Sequence, residues 1–177
     1  MLEERTKNLI DECRRQEESC LYTSTSLFEW LKALRRWRIG FVVAPIILGG
    51  VATWPLLVQR EGLEALTGFC ALRAGLIPAI YKALDFDVSL DTVARHAHEF
   101  KSLQDRFRQA WRIKSHEKPE VFRVTFDELT DRMDAARAAS LTPPERLFKK
   151  AQDKIGKGDY SFAADCEEAA RAKAASA

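Results

Sequence analysis

The side chains able to do chemistry are few, and they gather in the middle of the chain. They are Arg73, Asp85 with Asp87, and His96, His98 and Glu99, with His116 further on. His96 and His98 are two apart on an expected helix. They point about 200° away from each other, which is poor geometry for a shared metal, so no metal ligands are assigned. There is no glycine-rich phosphate loop, no G-x-S-x-G and no H-E-x-x-H. No catalytic residue and no cofactor are assigned, and the chain reads as a non-enzyme. An enzyme reading would have only Asp85, Asp87, His96 and His98 to work with. Asp85 and Asp87 could form an acidic ring at the cytoplasmic mouth of an oligomer, but solvated junction carboxylates are the plainer account.

Arg73 stands out because of what surrounds it. It lies inside the apolar stretch Leu63 to Leu84. A central arginine in a bilayer costs about 2.5–3.5 kcal/mol on insertion scales. Its face should therefore meet another helix, another subunit or water. A structural arginine that snorkels or pairs inside a bundle and a residue of a conduction path fit this equally well.

The stretch before it is more apolar. Ile39 to Val58, IGFVVAPIILGGVATWPLLV, holds no charge in a chain that is 31% charged. Twenty residues of helix are about 30 Å long, the thickness of a bilayer's hydrocarbon core. The two stretches are expected to form a transmembrane hairpin, residues 39–58 and 63–84, across the short loop 59–62. Pro45 is expected to kink the first helix, with Trp54 and Pro55 at its far end. Gly49 and Gly50 on the first helix, and Gly68, Ala71, Gly75 and Ala79 on the second, offer small faces for close helix packing. The alternative is a soluble bundle that buries 39–58.

Charge sets the orientation. Lys32, Arg35, Arg36 and Arg38 precede the first span, and Lys82, Arg95 and Lys101 follow the second. The loop has Arg60 beside Glu61 and Glu64. The positive-inside rule places both termini in the cytoplasm of a multi-pass protein of the cell membrane. The polar start MLEERTKNLIDE does not read as a signal peptide. A net charge of +2 argues against nucleic acid as a partner.

The fold class is all-α, with long cytoplasmic amphipathic helices forming a bundle or coiled coil beside the hairpin. Residues 1–38 read as one amphipathic helix with Ile10, Cys13, Cys20, Leu27, Leu31 and Leu34 in its seam, interrupted by Glu17 and Ser24. Cys13 and Cys20 read as small core residues. No C-x-x-C pair is present. Trp30 and Trp37 suit a membrane interface. Residues 85–165 read as a helical region with helices over 89–114, 120–139 and from Thr142, the last capped by Thr142 with Pro143 at its first position and ended by Gly156 and Gly158. Residues 166–177 read as a polar tail, frayed or disordered.

This order of parts resembles the SLATT domain, a two-transmembrane effector family associated with nucleotide-signal synthases in bacterial conflict systems. LYTSTSLFEWLKALRRWR precedes the hairpin, LIPAIYKALDFD runs into VARHAHEFKSLQDRFR after it, and LTPPERLFKKAQDKIGKGDYSF closes the region. The resemblance spans roughly residues 5–165. It implies an anti-phage effector that oligomerises and forms a pore or disrupts the inner membrane on activation, causing abortive infection. It further implies a separately encoded sensor or nucleotide-signal synthase as partner, besides membrane lipids and copies of itself. The competing expectation is a membrane-anchored scaffold without a pore.

Overall fold

The computed structural model describes residues 2–58, 62, 64–83 and 86–159. Among these residues there are five α-helices, a 3₁₀ turn at Lys114–His116 and no strand. They are α1 (Leu2–Val58), α2 (Glu64–Ala83), α3 (Phe86–Arg112), α4 (Pro119–Ala139) and α5 (Glu145–Gly156). The chain divides into two compact units, Met1–Glu29 with His96–Ala177, and Trp30–Arg95.

The first unit is a bundle built from the N-terminal half of α1 with α3, α4 and α5. Cys13, Cys20 and Leu27 of α1 are buried. So are Phe100, Leu103 and Phe107 of α3, Phe122, Leu129 and Met133 of α4, and Ala151 of α5. On each long helix these residues recur three, four or seven apart, so one stripe faces inward. Each large apolar side chain removed from water contributes about 1.5–3 kcal/mol. Glu17 meets Trp111 and Phe28 meets His98, so α3 runs antiparallel to α1. Residues 5–9 of α1 share a groove with Pro119–Asp127, and Cys20 meets Met133, so α4 runs parallel to α1.

Both interruptions of the α1 seam have a physical account. Ser24 is buried, but its hydroxyl donates to the Leu21 carbonyl at 3.1 Å. Glu17 accepts from the Trp111 indole N–H at 2.6 Å. A polar group inside a bundle costs little once it is hydrogen-bonded.

The expected boundary at Arg38 is absent. α1 runs unbroken from Leu2 to Val58, through Pro45 and past Pro55. The change from polar to apolar composition alters what surrounds the helix, while both sides remain good helix formers. A proline removes one backbone donor without ending a long helix.

The expected start of α5 also moves. The helix begins at Glu145 with Pro144 as its N-cap, φ −57° and ψ 140°. Thr142 and Pro143 are not helical. A residue before proline is pushed out of the helical region, so Pro143 stays extended because Pro144 follows it. The other end is as the sequence implies. Gly158 has φ 82°, Asp159 N–H donates to Lys154 and Gly158 N–H to Ile155. This is a Schellman closure, and its left-handed position suits glycine.

In the second unit, the less exposed residues of α1 are Phe41, Ala44, Pro45, Leu48, Gly49 and Ala52. On α2 they are Thr67, Cys70, Ala74, Ile77 and Tyr81. Both sets follow three-four spacing, and the Phe41 and Tyr81 rings lie 5.8 Å apart.

Candidate membrane segment and a buried carboxylate beside it

Among the described residues one helix, α1, is long and apolar enough to cross a membrane. Only 6% of its most apolar window is buried. Ile46 is 70% exposed, and Ile39, Val42, Ile47 and Val51 are exposed with it. Among the described side chains of residues 39–54, the chain's own helices therefore bury little. An exposed apolar surface of this length marks a site that a membrane or a protein partner covers.

α2 is less apolar than residues 39–58 of α1, and Leu66, Phe69, Leu72, Leu76 and Ile80 are also exposed on it. Arg73 is exposed too, and its guanidinium sits 4.5 Å from the centre of the Phe69 ring, one turn back. The arginine thus lies against an aromatic face of its own helix.

The four glycines expected to pack closely have open space beside them. A side chain added at Gly49, Gly50, Gly68 or Gly75 would meet nothing within 4 Å. Ala71 and Ala79 are exposed. The inward stripe of α2 instead carries Cys70, Ala74 and Ile77. Asp85 lies outside the described residues. Asp87 falls in the first turn of α3, and its side chain is likewise outside the description.

The histidines diverge. His96 is buried with Nδ1 3.8 Å from a Glu99 oxygen. His98 is exposed and meets the Phe28 ring edge-on at 5.3 Å. Among the described residues no group of His, Cys, Asp and Glu is arranged to hold a metal ion.

Comparison of the chain with protein-family models, curated proteins and solved structures finds no match.

Sequence reasoning missed one feature. Glu29 closes the bundle just before the apolar segment, and its side chain is 1% exposed. Lys150 and Lys154, one turn apart on α5, reach its two oxygens at 2.8 Å each. A buried carboxylate is tolerable only when paired and hydrogen-bonded, and here two ammonium groups do this. The signal was present: from Ser19 to Leu31, Glu29 is the single charge.

The two seam cysteines are free and buried. Burial, with the Glu12 and Glu17 carboxylates adding to it, pushes the Cys13 thiol up from 9.0 to about 12. Burial pushes Cys20 up from 9.0 to about 11, against the pull of Arg137, and its Sγ lies 3.8 Å from Met133 Sδ. The folded chain holds both protons where the unfolded chain releases them. Their contribution to stability is therefore complete below pH 9 and is lost as pH rises from 9 towards 11–12. Native protein at pH 8 is expected to leave both thiols unmodified by a maleimide, and denatured protein to react at both. Modification of the native protein at the denatured rate would contradict this packing.

Proposed function

We propose that this chain is a multi-pass protein of a bacterial inner membrane. Residues 39–58 and 63–84 span the bilayer as a hairpin, and both termini lie in the cytoplasm. Several copies assemble through the hairpins into a pore, or into a membrane-disrupting array, that acts as the effector of an anti-phage defence system. A separately encoded sensor or nucleotide-signal synthase releases it through the cytoplasmic bundle.

The observation that carries the membrane part is the exposure of the apolar half of α1, of which 6% is buried in its most apolar window. The effector part rests on the three stretches that resemble the SLATT family. Arg73 supports assembly, since an exposed guanidinium on an apolar helix needs water or a second helix when that helix enters lipid. The open space above Gly49, Gly50, Gly68 and Gly75 leaves room for a helix of another copy.

The test is to follow the membrane potential of an expressing bacterium with a voltage-sensitive dye, comparing the wild type with Arg73→Leu. Depolarisation that the substitution alters is the expected result and puts Arg73 in the path. Depolarisation indifferent to it keeps the pore and returns Arg73 to a structural role. An unchanged potential, with the protein in the membrane and its partner active, replaces the pore with a scaffold.

A further inference from the structure

We propose that the second unit carries, at the start of its apolar segment, a binding collar for anionic phospholipid headgroups. This inference rests on the membrane reading given above and adds the class of lipid.

Arg35, Arg36 and Arg38 of α1 are exposed, and so is Lys82 in the last turn of α2. The contact between Phe41 and Tyr81 brings that last turn to the level of α1 just past Arg38. Four cations from two helices therefore share one short slice of the second unit. At 3.6 residues per turn, the three arginines cover an arc of about 160° on α1. From Trp30 to Val58 the sequence has no carboxylate, and Arg35 and Arg36 stand exposed on this stretch of α1.

The same slice carries aromatic rings. Trp37 is 64% exposed, and its ring lies 6.3 Å from that of Phe41. An indole of this kind is suited to the headgroup level, where its apolar body and its N–H are both accommodated. Three of the four cations are arginines, whose planar fork matches the two free oxygens of a phosphodiester. The apolar surface begins at once with Ile39, so a lipid whose chains lie along Ile39 to Val43 has its phosphate beside the guanidinium groups. A zwitterionic lipid offers the same phosphate with a compensating cation. A phosphatidylglycerol offers it without one, and each basic side chain at an anionic surface then favours binding by about fivefold.

The test uses the full chain in vesicles of phosphatidylcholine, and of phosphatidylcholine with phosphatidylglycerol. One lipid at a time is brominated and tryptophan quenching gives the relative binding of the two. The expected result is a preference for phosphatidylglycerol of about fivefold or more. It should fall towards one in Arg35→Gln/Arg36→Gln/Arg38→Gln and in about 1 M salt. The variant Arg35→Lys/Arg36→Lys/Arg38→Lys should keep most of it. Resistance of the wild type to carbonate extraction from pure phosphatidylcholine vesicles tests the membrane reading by itself. Protein that incorporates there but is quenched equally by both lipids, or whose preference ignores the triple glutamine variant, overturns the collar and leaves the span standing. Protein that enters neither vesicle overturns both.

Discussion

Ile47→Asp is expected to take the chain out of the membrane fraction of an expressing cell, while Ile47→Leu leaves it there. Ile47 lies near the middle of the apolar half of α1 and is 60% exposed. On insertion scales isoleucine at a helix centre is favourable by a few tenths of a kcal/mol, and aspartate is unfavourable by about 2.5–3.5 kcal/mol. The substitution therefore shifts insertion by about 3–4 kcal/mol, two to three powers of ten in the partition. In water the same change at an exposed position would cost close to nothing. Carbonate extraction separates the two cases. If wild type and Ile47→Asp both remain soluble with the same thermal midpoint, the segment does not enter lipid.

The second large effect concerns the carboxylate under α5. Lys150→Met/Lys154→Met is expected to destabilise the bundle by about 3–5 kcal/mol, since it takes both ammonium groups away from a buried carboxylate. That is a large share of the about 5–15 kcal/mol that holds a domain folded. Glu29→Gln alone should cost less, because the two lysines are 47% and 31% exposed and turn to water when released. The decisive variant combines all three changes. Adding Glu29→Gln to the double lysine variant should restore most of the lost stability, as the buried charge has gone. Denaturant unfolding followed by helical circular dichroism reads the series, and tryptic cleavage at Arg146 and Lys149 reads whether α5 is seated. A triple variant no more stable than the double one would mean that the lysines act through packing of their stems.

Much of the architecture is legible in the sequence, because periodicity alone places most of it. The apolar stripes of α3 and α4, the break at SHEKP and the glycine closure of α5 follow from local rules. What was not legible depends on partners far away in the chain. The join at Arg38 looked like a boundary because composition changes there, although no local signal breaks the backbone. Small residues on α2 looked like a packing face, but the inward face is set by where Phe41 and Leu48 stand, which α2's own sequence does not record. The Glu29 pairing joins residues more than a hundred positions apart. Helical periodicity could flag its lone charge but not the lysines that answer it.

The first unit is assembled from two pieces of chain, Met1–Glu29 and His96–Ala177, with Trp30–Arg95 between them. During translation the N-terminal half of α1 emerges first and must wait for α3 to α5. At about 5–20 residues per second that wait lasts several seconds, in which both apolar stretches leave the ribosome. Where residues 39–58 enter a bilayer as proposed, their delivery precedes closure of the bundle, and the stripe of Cys13, Cys20 and Leu27 is meanwhile a surface for a chaperone to hold. Glu29 and its lysines join last. Their closing marks the end of the assembly of the first unit.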